Sequence, residues 1–318
     1  MSRPLGATIA VLVPLILASL MTGAASIHVL DALSDPWTML VLMESRLPRT
    51  LAVLLTGAAL SVAGLLLQAL VRNRFVGPDT VGTAESAALG LLVITLMAPA
   101  SPIWVKICVA SLSAMAGTAL FVALIRRLPP KEIMLVPITG IVLSGVVGSV
   151  VVYIAWQEDL MQYITTWLMV GEFSGVVAGR YEMLWFAGAA AGLAWFAADR
   201  FVILSLGEEV ATGLGLGTKG VMRFGLAVVA VVSAMVVTTV GMIPFVGLVV
   251  PNIVSRVMGD NLRRSLPMVA AAGAALLLSC DLLGRLLRYP FEIPVGTVMG
   301  FIGSIIFLYL LYRRPARV

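Results

Sequence analysis

The chain is poor in the residues that bind metals or carry out chemistry. Its 318 residues include two cysteines and one histidine. Cys108 and Cys280 both fall inside apolar runs, so neither suggests a disulfide or a metal ligand. His28 stands alone at the end of the first run. One imidazole and two thiols in apolar runs exclude a structural zinc site and argue against haem, so no cofactor is expected. Charge is scarce too, at 12% of residues against 60% hydrophobic. A soluble domain of this length cannot hide that much apolar surface.

Catalytic patterns are missing as well. There is no H-E-x-x-H, no nucleophile elbow and no pair of histidines. The stretch from Gly213 to Lys219 has the glycines of a phosphate loop, but Thr218 precedes the lysine and no strand leads into it. The chain is therefore not expected to be an enzyme. No long linker or low-complexity segment divides it, and residues 1–318 read as a single membrane domain.

What the sequence does have is apolar length. A helical crossing needs about 20 apolar residues. Stretches at 7–27, 50–71, 82–98, 102–125, 133–156, 181–199, 222–240, 246–258, 267–287 and 296–312 qualify. The expected fold is all-α and polytopic, with about ten transmembrane helices. The eighth stretch is short and suggests a non-helical entry.

Basic residues then orient the chain. With both termini inside, fifteen of the 21 Lys and Arg residues fall on the inner side, leaving Arg46, Arg49, Lys106, Arg180, Arg285 and Arg288 outside. Acids collect outside: Asp31, Asp35, Glu44, Glu158, Asp159, Glu172 and Glu292. The net charge of +5 thus reflects topology, and nucleic-acid binding is a poor reading of it. Residues 1–27 could be taken for a secretory signal, with Arg3 before an apolar run and a cleavage-like Ala24-Ala25-Ser26. The run is long for a signal core, and its removal would upset the charge pattern, so a retained first helix is favoured.

Small residues are dense in the second stretch, including Gly57 and Gly64, and Gly296 and Gly300 form a G-x-x-x-G in the last. Small faces let helices approach closely in lipid. Gln68, Asn73 and Asn252 could hydrogen-bond between helices, and Glu85 could be stabilised by a helix N-terminus. Segments 34–43, with Trp37, and 161–170, with Trp167, suggest short interfacial helices.

Two groups of charges break the apolar background. On the outer side, Asp281 and Arg285 are four apart and can pair on one helix face. Arg46 and Arg49, in Arg46-Leu-Pro-Arg49, oppose the charge bias there; pairing with Glu44 or docking of an acidic partner would each account for them. On the inner side lies the longest polar segment, Leu206 to Lys219. Glu208 and Glu209 sit where a helix dipole favours acids, and Gly213, Gly215 and Gly217 then interrupt. It is either a solvated turn or a coupling helix pressed against a soluble motor.

Taken together, these residues resemble a known family. Arg46-Leu-Pro-Arg49-Thr50, then Gly57, Gly64 and Gln68, then Arg72-Asn73, Pro78 and Gly82 resemble the opening signature of the iron-siderophore and vitamin B12 permeases of ABC importers. Leu206-Gly207-Glu208-Glu209, Ala211 and Leu214-Gly215 resemble the ATPase-contacting loop. Gly241 through Pro251-Asn252, Arg256, Gly259-Asp260, Asp281, Arg285 and Glu292 to Gly296 resemble the C-terminal half.

The resemblance implies a type II importer permease in a bacterial plasma membrane, moving ferric siderophore inward. It implies two ATPase subunits below, a second permease subunit beside and a substrate-binding protein above. It assigns ATPase coupling to Leu206, Gly207, Glu208, Glu209, Ala211, Leu214 and Gly215. Docking falls to Arg46, Arg49 and Arg285, and pathway and packing roles to Gly57, Gly64, Gln68, Asn73, Pro251 and Asn252. Asn73-Arg74 and Pro251-Asn252 depart from the usual Asn-Pro and Pro-His, and Gly303-Ser304 stands near a customary proline. These variants resemble the catechol-siderophore branch and favour a non-identical second permease, a homodimer being the alternative. Vitamin B12 or haem import by the same family is the alternative function. A stand-alone secondary transporter would need paired interrupted helices with midplane ion ligands, and none is evident.

Overall fold

The structure, a computed structural model, describes residues 3–23, 35–128, 135–164, 170–259 and 261–312. The expectations for His28, Trp167 and Asp260 lie outside those residues. Among the described residues every regular element is a helix. In lipid this follows from backbone hydrogen bonding, because a helix satisfies its own N–H and C=O groups.

In chain order the helices are α1 (Arg3–Met21), α2 (Pro36–Val41), α3 (Leu47–Val71), α4 (Thr83–Met97), α5 (Ile103–Ile125), α6 (Leu135–Gln157) and α7 (Met161–Tyr163). There follow α8 (Met183–Phe196), α9 (Ala198–Ser205), α10 (Glu208–Gly213), α11 (Thr218–Val240), α12 (Val246–Met258), α13 (Leu262–Leu286) and α14 (Val295–Tyr312). Each of the ten apolar stretches is therefore helical. Seven are long and apolar enough to cross a bilayer, and α8 with α9 makes an eighth if that pair, bent by 64°, is one span. Helices α4 and α12 are apolar but hold only 15 and 13 residues. At 1.5 Å per residue they reach about 22 and 20 Å, short of the ~30 Å hydrocarbon core. Ten crossings would need both to span, and their lengths alone do not secure that.

The segment around Trp37 differs from expectation. It is not a separate helix: α2 runs through a π-helical turn, Leu42–Arg46, directly into α3. The run Pro36–Val71 is 36 residues, about 54 Å, so one end must project beyond the hydrocarbon. Asp35 starts it by accepting the backbone N–H groups of Trp37 and Thr38 and the Thr38 hydroxyl. Those bonds, the hydroxyl first, hold its carboxyl below the usual range.

Helix α3 is the centre of the bundle. It packs most extensively on α13 and also touches α8, α11 and α12. Its glycines set the spacing. A Cβ at Gly57 would lie 2.4 Å from the Gly273 carbonyl oxygen of α13, and one at Gly64 would lie 1.8 Å from that of Gly247 in α12. Two helix backbones are in direct contact at each crossing, which only glycine permits. In contrast, α1 and α6 leave most of their surfaces uncovered by the rest of the chain.

The entry to α12 is built by residues distant in sequence. Gly241 to Pro244 is non-helical, and Phe245 takes a left-handed conformation at φ 66°. The Asp79 carboxylate, from the α3–α4 loop, accepts the Phe245 N–H at 2.8 Å. Thus the expected non-helical entry exists, and an acid the sequence reading did not single out holds it. Substituting Gly64 by Leu should force α3 from α12 and lower the yield of folded protein from membranes. Substituting Ala58, which lines an outer cleft, should not. Size-exclusion chromatography after detergent extraction separates the two outcomes.

Candidate functional site

Two polar assemblies stand at opposite ends of the bundle. The first gathers Arg46, Arg49, Asp281, Arg285 and Glu292. Asp281 is fully buried in α13, and both its oxygens are used. Arg49 of α3 donates to one at 2.8 Å, and Arg285, one turn along α13, pairs with the other. Arg49 also reaches Glu292 at 2.8 Å, at the start of the loop into α14.

Three guanidiniums against two carboxylates leave one excess positive charge. The end of α1 offsets it. Arg46 donates to the carbonyls of Leu20 and Met21 at 2.8 and 2.9 Å. Arg285 donates to the carbonyls of Ser19 and Thr22 at 3.1 and 3.0 Å and to the Ser19 hydroxyl at 2.8 Å. These carbonyls are the ones a helix C-terminus leaves unbonded, and they carry the negative end of its dipole. Arg285 Nε is the one buried guanidinium atom of the cluster left without a partner among the described residues.

Of the three arginines expected at a docking surface, Arg46 and Arg285 are 6% and 5% exposed; both donate to α1, and Arg285 also pairs with Asp281, because an unpaired buried guanidinium would be far costlier. Arg49 keeps 13% side-chain exposure and an exposed partner in Glu292. Arg288 lies exposed, over the Phe291 ring. The expected Asp281–Arg285 pair is present.

The second assembly is the segment after α9. Gly207, at φ 124°, turns the chain, α10 occupies Glu208–Gly213, and Gly215, at φ 81°, turns it again into α11. Ala211 is buried against the bundle, while Leu206, Val210 and Leu214 are exposed at 61, 49 and 65%. Val210 lies on α10, Leu214 caps its C-terminus and Leu206 precedes the turn at Gly207. Beside them, Glu208 and Glu209 are exposed, and Glu208 lies 3.8 Å from Arg126. A pair this open contributes at most about 1 kcal/mol. The sequence reading named Leu206 and Leu214 but missed Val210, which the same four-residue repeat would have found.

The residues assigned to pathway and packing fall into two sets. Gly57 and Gly64 make the helix crossings described above. Gln68, Asn73, Pro251 and Asn252 meet near the same end as α10. Gln68 donates to the Val76 and Leu248 carbonyls, and Asn252 donates to the Arg74 carbonyl at 2.7 Å, tying α12 to the loop after α3. Asn73 instead turns its oxygen to the Phe75 N–H, a local bond. Glu85, in the first turn of α4, faces α6 near Gly148, with one carboxyl oxygen buried and unpartnered. No three His, Cys, Asp or Glu side chains gather as a metal site among the described residues.

A helical bundle with several apolar spans, an exposed short helix at one end and a buried ion cluster at the other is the build of a polytopic membrane subunit. The chain belongs to the FecCD transport family, whose profile matches residues 10–313. It is 42% identical to the petrobactin import system permease protein YclN of Bacillus subtilis, over 86% of this chain and 87% of that one. It is 38% identical to the ferric-anguibactin transport system permease protein FatD of Vibrio anguillarum, over 86% and 87%. Among solved structures, a metal-chelate-type ABC transporter in an inward-facing conformation superposes with a TM-score of 0.83 at 25% identity, covering 98% of this chain and 99% of that one.

Removing the Asp281 charge tests the outer cluster. Asp281→Asn should destabilise the protein by about 3–5 kcal/mol, since two buried guanidiniums lose their shared counter-charge. Arg263→Gln, which breaks the exposed pair with Asp199, should change stability by no more than about 1 kcal/mol. Thermal unfolding in detergent reads both.

Proposed function

We propose that the chain is the permease subunit of an ATP-driven importer that carries ferric siderophore from the outer side of a bacterial plasma membrane into the cytoplasm. The observation that carries this reading is the exposure of Leu206, Val210 and Leu214, three apolar side chains at the coupling segment. Val210 is on the short helix α10, Leu214 caps its end and Leu206 precedes the turn at Gly207, in a chain that otherwise turns its apolar surface to lipid or its own core. Exposed apolar side chains on a short helix and its flanks fit a groove on a soluble partner. Family membership supports an ATPase as that partner, and in this reading two copies serve two permeases. The named cargoes of the relatives, petrobactin and ferric anguibactin, favour an iron chelate.

In this reading the chemistry belongs to the ATPase, and this chain contributes a path and a lever. Closure of the ATPase pair moves α10. Ala211 packs α10 on the bundle, and the backbone of α11 continues from it. The uncovered surfaces of α1 and α6 meet lipid and a second permease, favoured as non-identical to this one. The opposite end receives a substrate-binding protein. Of the three arginines assigned to docking, Arg49 is the one whose geometry suits it, because Glu292 can be exchanged for a carboxylate of the partner. Arg46 and Arg285 hold α1 and Asp281 so that Arg49 stays at the rim. Both termini lie on the cytoplasmic side.

Four variants test the reading. Leu214→Glu, or the pair Glu208→Lys and Glu209→Lys, should reduce ATP-dependent uptake of ferric siderophore by about tenfold or more, with the protein still in the membrane; one buried charge costs at least that at an interface. Normal uptake in both would remove the coupling role of α10. At the other rim, Glu292→Gln should preserve or strengthen binding-protein docking, while Arg49→Glu weakens it, more so at low salt. Equal affinities for the two would remove Arg49 from docking.

A further inference from the structure

Between α3, α4, α11 and the non-helical entry to α12 lies a small cavity of about 20 Å³. Its wall is largely apolar, with Leu60, Ala84, Val236, Val237 and Ile243. Two polar side chains break that wall, Asp79 of the α3–α4 loop and Ser233 of α11. Ser233 is 1% exposed, and its hydroxyl has no hydrogen-bond partner among the described residues.

Ser233 stands apart from the other buried hydroxyls of the bundle. Ser61, Thr118 and Thr238 each donate to the carbonyl four residues back in their own helix. Ser233 forgoes that bond. A buried hydroxyl left unpaired is costly, so an orphan beside a cavity marks a place for a bound partner. Volume and chemistry name that partner. A cavity needs about 10–15 Å³ to hold one water, which then requires two to four polar groups. The hydroxyl and the carboxylate supply two. A hard cation would need about six oxygens, which two side chains cannot provide, and Asp79 already accepts the Phe245 N–H.

We propose that this cavity holds one ordered water, which joins the Ser233 hydroxyl of α11 to the Asp79 carboxylate. Asp79 also holds the Phe245 N–H at 2.8 Å, so the water extends that link and ties α11 to the turn that starts α12. Broken helix entries survive inside a membrane only where their polar groups find partners in protein or water. The proposal rests on the fold alone and requires no statement about cargo or ATPase.

The test images the full-length chain in lipid nanodiscs, with an antibody fragment bound, by electron cryo-microscopy at a resolution that shows ordered water. Density is expected within hydrogen-bond distance of both the Ser233 hydroxyl and the Asp79 carboxylate. Ser233→Ala should lose that density and unfold about 2 °C or more below the unaltered chain. The direction is diagnostic. Alanine is the better helix former, and removal of a hydroxyl that was merely unpaired would raise the unfolding temperature. Ser149→Ala, at an exposed hydroxyl bonded to the Gly145 carbonyl, should leave it unchanged. If Ser233→Ala does not fold, Ser233→Cys, with a much weaker donor, should lose the density instead. Replacing sodium by choline in the buffer should alter neither readout. Absence of the density from the unaltered chain, a folded Ser233→Ala protein as stable as that chain or more so, density kept in Ser233→Cys, or density that disappears with sodium would overturn the proposal. Neither readout involves transport, so a failed uptake assay leaves the water site standing and an empty cavity leaves the importer reading standing.

Discussion

The Asp281 carboxylate, wholly buried in α13 and shared by Arg49 and Arg285, governs the outer half of this molecule. A charge buried at that depth persists only when its partners are fixed by the surrounding fold. Here one partner comes from its own helix and one from α3, so α3 and α13 are locked in register. Arg285 then carries the constraint to α1 through the Ser19 and Thr22 carbonyls, and Arg46 repeats it from the start of α3. Three helices, α1, α3 and α13, are thereby tied by polar bonds at one end, while the rest of their contact is apolar. The net gain over a hydrophobic replacement need not be large. What the cluster supplies is specificity, because any sliding of α1 or α3 strands a guanidinium.

Glycine contacts perform the matching task along the length of the bundle. Gly57 against Gly273 and Gly64 against Gly247 bring α3 to backbone contact with α13 and α12. Lipid offers no hydrophobic drive between helices, so close van der Waals contact must supply the association. The ion cluster fixes the position of α3 along its axis, and the glycines fix its distance from both neighbours. At the other end Gln68 and Asn252 add hydrogen bonds between α3, α12 and the loop joining α3 to α4. The polar residues of this membrane protein thus concentrate at its ends, and small residues hold its middle.

Much of this was legible in the sequence, and the reasons divide cleanly. Apolar runs located every long helix, since hydropathy and length are local properties. The Asp281–Arg285 pair followed from a four-residue spacing, and the role of Gly57 and Gly64 from small-residue density. The burial of Arg46 and Arg285 was not legible, because their acceptors include backbone carbonyls at the end of α1, 25 or more residues away, and carbonyls have no signature in a sequence. Arg49 and Asp281 are 232 positions apart, and Asp79 and Phe245 are 166 apart, so no local pattern could have joined them. The segment from Pro36 was read as a separate interfacial helix because its polar flanks suggested a break, whereas a π turn carries the helix through. Val210 was overlooked because a lone valine between an acid and an alanine looks unremarkable until the helix is drawn.

The grip of Arg285 on the end of α1 also has a bearing on how the protein is made. A ribosome releases α1, which ends at Met21, long before α13, which starts at Leu262. Throughout that interval the Ser19 and Thr22 carbonyls have no guanidinium from α13 to meet and must stay hydrated at the bilayer surface. The outer rim is therefore completed late, and a nascent product lacking α13 would carry Arg49 without Asp281 to neutralise it. Quality-control proteases that survey membranes for unpaired charge would have a ready mark by which to tell the unfinished subunit from the complete one.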